Sequence, residues 1–160
     1  MKTIQVEEVY RLHGTATDTI SEDTSLEHII SRFAHEPGLR GVFLIDARQR
    51  FSGVITRADL MKWAHYQLFS GKRRHDLAIF DFFRIVDAKK AKDLARRDGR
   101  SLGIKETDSL QTALDKMLDV EEDVLPVIDN QGKILGDLRL SEVLLKAIEL
   151  GKQVRENKRG

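Results

Sequence analysis

The stretch GVITRADL, residues 53–60, joins an apolar segment to a polar segment that is compatible with a helix. Thr56 follows the glycine by three positions, and Asp59 follows Thr56 by three more. A threonine with a carboxylate three positions later is a pattern that caps the first turn of a helix. The same side chains could also hold a ligand, because the unpaired amides at a helix N-terminus favour anions. These eight residues alone do not decide between helix capping and ligand binding.

The chain contains an internal repeat. Residues 43–61 (FLIDARQRFSGVITRADLM) and 126–144 (PVIDNQGKILGDLRLSEVL) share the order apolar strand, aspartate, polar turn, glycine-containing strand and helix. The glycines of the two copies are 83 positions apart. Upstream, residues 22–33 match residues 106–117 with an offset of 84. The copies therefore agree over about fifty residues with one insertion or deletion.

Each copy predicts a β-α-β-β-α unit that begins with a short extended segment, at 15–20 and at 100–104. The first helix follows a capping signal and has apolar residues at the i, i+3, i+4, i+7 spacing of a buried helical face. A hairpin of two strands follows, and a second helix then runs from about residue 57 to 69 and from about residue 140 to 151. The capping signals are Thr24 or Ser25 and Asp108 or Ser109, and the apolar faces are Leu26, Ile29, Ile30, Phe33 and Leu110, Ala113, Leu114, Met117, Leu118.

A unit of this size buries too little surface to be stable alone. We therefore expect an α+β fold in which the two units pack sheet to sheet with pseudo-two-fold symmetry, and clefts between them are natural ligand sites. The expected organisation is an N-terminal arm (1–14), a first domain (15–70), a connector (71–90), a second domain (91–151) and a flexible basic tail (152–160).

The connector region carries two distinct stretches. Residues 77–86 (LAIFDFFRIV) are aromatic and apolar, and we expect them to pack on the domains or at a partner surface. Residues 89–97 (KKAKDLARR) are basic, and we interpret them as a solvated face rather than a nucleic-acid contact.

The composition restricts the class of protein. The 160 residues are 41% hydrophobic and 33% charged with a net charge of +1, which suits a soluble globular protein without a general attraction to nucleic acid or membrane. The absence of cysteine excludes disulfides and favours a reducing compartment. Residues 1–14 carry acids where a signal peptide has an apolar core, and the longest apolar runs fall far short of the ~20 residues of a membrane span. We expect a cytoplasmic protein without a membrane segment.

The common catalytic and metal-binding motifs are missing from the sequence. The five histidines show no HExxH spacing. The stretch SGKRRH (70–75) lacks the Ser or Thr and the earlier glycine of a phosphate-binding loop, since residue 66 is tyrosine. We therefore predict no catalytic residues, no metal ligands, no required cofactor and no enzyme activity.

The ordered set of motifs resembles the cystathionine β-synthase (CBS) domain, which occurs as a tandem pair called the Bateman module. The resemblance spans residues 15–150 and implies a stand-alone regulatory module that binds an adenosine ligand between its domains, forms a homodimer and signals to a partner protein. AMP, ADP or ATP is the implied ligand, with S-adenosylmethionine or an NAD-type dinucleotide as alternatives. The motifs are DTSL (23–26), GVFLID (41–46) and GVITRADL in the first copy, and TDSL (107–110), LPVID (125–129) and ILGDLRLSEV (134–143) in the second.

The resemblance also implies a ligand site in the first copy, where a Gly-x-x-Thr/Ser-x-x-Asp segment contacts the nucleotide. Thr56 would donate its hydroxyl to a phosphate, and Asp59 would accept hydrogen bonds from the ribose hydroxyls. Arg40 would contact phosphate, although an exposed arginine is an equally ordinary surface feature. Gly53 would allow a ligand or a neighbouring strand to come close, and Arg57 completes the polar set.

The remaining predicted contacts leave alternatives open. The adenine would lie against Ile20, Val42 and Ile55, which are equally compatible with an ordinary core. In the second copy, Arg139 and Glu142 occupy the positions of the threonine and the aspartate. Glu142 could still reach a ribose, whereas Arg139 could pair with phosphate, fill the site with its own charge or face solvent. We therefore expect one intact and one degenerate site.

Two other functions compete with nucleotide sensing. The pair could be a dimerisation scaffold with a degenerate pocket, or the basic segments could give it a minor role in binding nucleic acid.

Overall fold

The computed structural model describes residues 3–10, 18–69, 87–95 and 99–160. Residues 77–86, the apolar stretch of the predicted connector, lie outside this part of the chain. The described helices and strands confirm the α+β fold class. They are α1 (Glu7–Tyr10), β1 (Thr19–Ser21), α2 (Leu26–His35), β2 (Gly41–Ile45), β3 (Phe51–Thr56), α3 (Arg57–Phe69), α4 (Ala91–Leu94), a 3₁₀ turn (Gly99–Leu102), α5 (Leu110–Val120), β4 (Val124–Ile128), β5 (Ile134–Arg139) and α6 (Leu140–Arg159).

The chain divides into two compact units. The central unit is Asp18–Ser101, and the terminal unit combines Met1–Thr17 with Leu102–Gly160. The hairpin of the first copy lies in the central unit, and the hairpin of the second copy lies in the terminal unit.

The central unit has the predicted β-α-β-β-α order. Its sheet has the strand order β1-β2-β3, with β1 parallel to β2 and β2 antiparallel to β3. The β2–β3 hairpin turns at Asp46, whose Oδ1 accepts the backbone amides of Arg48 (2.9 Å) and Arg50 (3.0 Å). Aspartate favours such turns because its short side chain can bond the backbone two residues ahead.

Helix α2 supplies one face of the core of the central unit. Ser25 caps it by accepting the backbone amide of His28 (3.3 Å), which resolves the predicted choice between Thr24 and Ser25. The buried residues of this core are Leu26, Ile29, Leu39, Val42, Leu44, Ile55, Tyr66, Ala91 and Leu94.

The terminal unit repeats the hairpin and both helices but shortens the first strand. Strands β4 and β5 are antiparallel, and Ser109 caps α5 by accepting the amide of Thr112 (3.1 Å). The predicted strand at 100–104 is instead a 3₁₀ turn followed by a single parallel bridge from Ile104 to Val127. The preceding Gly103 lies against Ile128, whose Cδ1 would be 2.6 Å from an added Cβ, so the chain is held close to the sheet there.

Each unit also contains the short segment that precedes the other repeat in sequence. In the terminal unit, Val6 at the start of α1 donates its amide to the Asp108 carbonyl (2.9 Å). In the central unit, Ala91 at the start of α4 donates its amide to the Thr24 carbonyl (2.8 Å). The two lead-in segments therefore make equivalent contacts, and Ala91 and Leu94 belong to the core of the central unit.

Helix α6 is longer than the sequence predicts. It continues past residue 151 to Arg159, through the segment that was expected to be a flexible tail. Lysine, glutamine, glutamate and arginine dominate that segment and all favour helix.

Candidate functional site

Four of the predicted ligand residues come together at one corner of the central unit. Strand β3 ends at Thr56, helix α3 begins at Arg57, and the first residue of β2, Gly41, pairs with Thr56 in the hairpin register. Arg40 lies just before β2, and its carbonyl accepts the backbone amide of Arg57 (3.2 Å). We call Arg40, Thr56, Arg57 and Asp59 the β3–α3 corner.

Thr56 and Asp59 form the capping box that their spacing predicts. The Asp59 carboxylate accepts the Thr56 amide (2.8 Å) and the Thr56 hydroxyl (3.0 Å), both at Oδ2. The Asp59 amide in turn lies 3.4 Å from the Thr56 hydroxyl oxygen. Thr56 is 9% exposed and Asp59 is 4% exposed. The capping interpretation is therefore correct for this structure.

The cap occupies the same chemical groups that a nucleotide would use. A threonine hydroxyl has one hydrogen to donate, and here it is directed to Asp59. Thr56 would have to rotate this hydroxyl before donating it to a phosphate. The Asp59 carboxylate still provides an acceptor there, and the N-terminus of α3 still provides the positive end of the helix dipole.

The two arginines of the corner have different surroundings. Arg40 is exposed. The Arg57 guanidinium donates through Nε to the Leu39 carbonyl (2.7 Å) and through Nη2 to the Pro37 carbonyl. Arg57 is thus engaged by the main chain of the α2–β2 loop, and Arg40 is the last residue of that loop.

The other predicted apolar residues of the first copy belong to the core or pack against it. Val42 and Ile55 belong to the buried core and form the register pair next to Gly41 and Thr56, and Ile20 packs against that core. An added Cβ at Gly53 would lie 3.1 Å from the Cβ of Ala95. Gly53 therefore makes room for the lead-in segment of the second repeat.

The corresponding corner of the terminal unit is built differently. Arg139 occupies the N-cap position of α6, and its amide donates to Glu142 Oε1 (3.2 Å) without a side-chain cap from the arginine. Its Nε donates to Asp137 Oδ2 (3.2 Å). Both Asp137 and Glu142 are 5% exposed. This pairing of Arg139 with a carboxylate of the protein is not among the interpretations that the sequence suggested for Arg139.

Sequence reasoning missed Asp137 as a partner of Arg139. The signal was present, because Asp137 lies in the middle of the apolar strand ILGDL, where the first copy has valine. A carboxylate in a buried strand generally requires a partner.

The internal repeat agrees with a comparison of the sequence with known families. A model of the CBS domain matches residues 10–66 and 92–149. The chain belongs to the CBS domain family. The two matches confirm the tandem pair that the repeat and the motifs predict.

Several solved structures share the fold of this CBS pair. A CBS domain-containing protein from Thermotoga maritima is 24% identical, with a TM-score of 0.69, over 91% of this chain and 95% of that one. CBSX2 in complex with AMP is 19% identical, with a TM-score of 0.67, over 92% and 98% of the two chains. The cytosolic domain of the Mg²⁺ channel MgtE in complex with ATP is 15% identical, with a TM-score of 0.56, over 80% of this chain and 44% of that one.

No curated protein sequence is significantly similar to the chain. Within the described residues, no helix is long and apolar enough to cross a membrane. In the same part of the chain, no group of three His, Asp or Glu side chains is arranged to hold a metal ion.

Proposed function

We propose that this CBS pair is a regulatory module that binds an adenosine nucleotide of the AMP, ADP or ATP class at the β3–α3 corner. The observation that carries the proposal is the buried Thr56–Asp59 pair at the N-terminus of α3, beside the exposed Arg40. The AMP and ATP complexes of two proteins with the same fold support the choice of ligand class.

Each polar group of the corner has a distinct role in this proposal. The Asp59 carboxylate accepts hydrogen bonds from the two ribose hydroxyls, because a carboxylate presents two acceptor oxygens. The rotated Thr56 hydroxyl binds phosphate at the positive dipole end of α3. Arg40 adds a positive charge that a phosphate favours. Rotation of the Thr56 hydroxyl gives up one internal hydrogen bond, which costs about 0.5–1.5 kcal/mol.

The proposed module is a non-catalytic sensor that signals to a partner protein. It needs no cofactor, and the cytoplasm, where a cysteine-free chain and adenine nucleotides both fit, is its proposed location. S-adenosylmethionine and NAD-type dinucleotides are the alternative ligands, because both contain the adenosine ribose that Asp59 would bind.

A ligand panel tests the proposal directly. Thermal unfolding is followed with AMP, ADP, ATP, S-adenosylmethionine and NADH at millimolar concentration, because a ligand that binds the native state raises the unfolding midpoint. A rise with an adenine nucleotide is expected, with isothermal titration calorimetry giving the affinity. If no adenosine ligand shifts the midpoint, the scaffold function replaces the sensor function.

The proposal includes a homodimer. Helix α6 carries a line of exposed apolar or small residues at alternating spacings of four and three, a pattern typical of helices that pair. The segment beyond residue 150 is exposed at every position, and a helix of this length gains most of its stability from packing. A second copy would cover this line, which we call the α6 stripe: Leu140, Leu144, Ala147, Gly151 and Val154.

A further inference from the structure

Arg57 makes contacts that its position in the motif does not require. It is the first residue of α3, and its guanidinium donates to two main-chain carbonyls, at Leu39 (2.7 Å from Nε) and at Pro37. These carbonyls belong to the loop from α2 to β2, in which the Leu39 amide also donates to the Glu36 carbonyl (2.9 Å). The guanidinium therefore ties the start of α3 to the loop that leads into Arg40.

The terminal unit shows which part of this arrangement belongs to the fold. There, Leu140 stands at the first position of α6, and its amide donates to the Asp123 carbonyl (2.8 Å), as the Arg57 amide does to the Arg40 carbonyl. The backbone link thus exists in both copies. A leucine has no donor for further carbonyls, so the guanidinium clamp exists only in the copy with the Thr56–Asp59 pair.

The chemistry of arginine explains how one side chain can hold the loop. A guanidinium is planar, permanently charged and presents its donors in a fixed fork. The donors that Arg57 directs to the Leu39 and Pro37 carbonyls are not directed to a ligand. Arg57 can therefore influence phosphate binding through the loop without touching the phosphate.

We propose that Arg57 is a positioning residue that fixes the 37–40 main chain and thereby holds Arg40 where it can contact a nucleotide phosphate. The inference rests on the proposed function of the β3–α3 corner. Both arginines then contribute to phosphate recognition, because Arg40 contacts the phosphate and Arg57 orders the segment that carries Arg40.

The first experiment separates phosphate positioning from a general effect on the site. AMP and adenosine affinities are measured by calorimetry for the wild type, Arg57→Leu, Arg40→Gln and the double variant. Arg57→Leu, which copies the residue of the second repeat, should weaken AMP binding about tenfold, as expected for a charge-assisted hydrogen bond, and leave adenosine binding within about twofold. The double variant should bind AMP no more weakly than Arg40→Gln alone, because both changes remove the same contact.

Two results would overturn this role. Equal weakening of AMP and adenosine would mean that Arg57 only supports the corner as a whole. Full additivity of Arg57→Leu and Arg40→Gln on AMP binding would mean that Arg57 contacts the phosphate itself.

The second experiment is independent of any ligand. Hydrogen–deuterium exchange of the nucleotide-free protein should be faster at residues 38–41 in Arg57→Leu, while Lys62→Leu, which removes another exposed cation of α3, should leave these residues unchanged. Unchanged exchange in Arg57→Leu would overturn the clamp even if AMP binds. If exchange is faster in Arg57→Leu but the wild type binds no nucleotide, the proposed function and the ligand role of Arg57 are both overturned. Arg57 would then act only as a structural clamp on the 37–40 main chain.

Discussion

One oxygen of Asp59, Oδ2, accepts both the backbone amide (2.8 Å) and the hydroxyl (3.0 Å) of Thr56. These two hydrogen bonds to one neighbour cap α3 and hold both side chains at the helix N-terminus. A ligand that takes the Thr56 hydroxyl leaves the amide contact in place. In the proposed function, the cap and the ligand site are two states of the same pair of residues, so the capping pattern in the sequence does not by itself exclude binding.

Asp59→Ala should separate the two roles when it is compared with Glu142→Ala. Each change removes the carboxylate that accepts the N-cap amide of its helix, at 2.8 Å in α3 and at 3.2 Å in α6. Both should lower the free energy of unfolding by about 1–2 kcal/mol, measured by urea denaturation. Only Asp59→Ala should abolish nucleotide binding in calorimetry. Loss of binding in both variants, or in neither, would argue against the β3–α3 corner as the site.

Gly53→Ala and Gly136→Ala should each destabilise the protein by about 1–3 kcal/mol, because a new Cβ overpacks a lead-in segment. It would lie 3.1 Å from the Cβ of Ala95 in the central unit and 3.1 Å from the Tyr10 ring in the terminal unit. Combining Gly53→Ala with Ala95→Gly removes the close atom and should recover part of the lost stability. A combined variant that is no more stable than Gly53→Ala would show that Ala95 is not the obstacle. Thermal unfolding measures all variants.

Local signals made much of the fold predictable. Ser25 and Ser109 cap the helices that the sequence predicts, and Asp46 turns the first hairpin through its own side chain. These helix caps and this turn involve residues only a few positions apart, so they can be predicted from the sequence. The Thr56–Asp59 cap of the candidate site was predictable for the same reason.

Features that depend on distant packing were not predictable. Each unit contains the segment that precedes the other repeat in sequence. This arrangement depends on tertiary contacts, since Val6 and Ala91 donate hydrogen bonds to residues far from them in sequence. The 3₁₀ turn that replaces most of the predicted first strand before Ile104 was not anticipated from the sequence. At the site, the contacts of Arg57 with main-chain carbonyls carry no sequence signal, because every residue has a carbonyl.

The ion pair between Asp23 and Lys92 should make stability depend on pH at both extremes. The Lys92 ammonium, 3.0 Å from Asp23, lowers the pKa of that carboxyl through a side-chain hydrogen bond, and the same bond raises the pKa of Lys92. The Asp23 contribution is therefore present above its unfolded pKa and is lost as the pH falls through its folded value. The Lys92 contribution is present below its unfolded pKa and is lost as the pH rises through its folded value.

Asp23→Asn tests this dependence. Denaturation midpoints in urea, measured from acidic to alkaline pH, should fall less steeply at both ends in the variant than in the wild type. The difference should shrink in high salt, because both groups are exposed and salt screens such pairs. Identical pH profiles in low salt would show that the pair contributes nothing measurable to the stability of the protein.

Charges on the α6 stripe should dissociate the proposed homodimer. Leu144 is 55% exposed and Val154 is 54% exposed on α6. Replacing both with glutamate would place two charges per chain in the interface, and burial of an unpaired charge is strongly unfavourable. Sedimentation equilibrium should give a dimer for the wild type and a monomer for the double variant at micromolar concentration. Leu135→Glu is the control, since Leu135 is 47% exposed on β5 and lies off the stripe. A wild type that sediments at the monomer mass would refute the dimer, whereas a double variant that remains dimeric would place the interface on another surface.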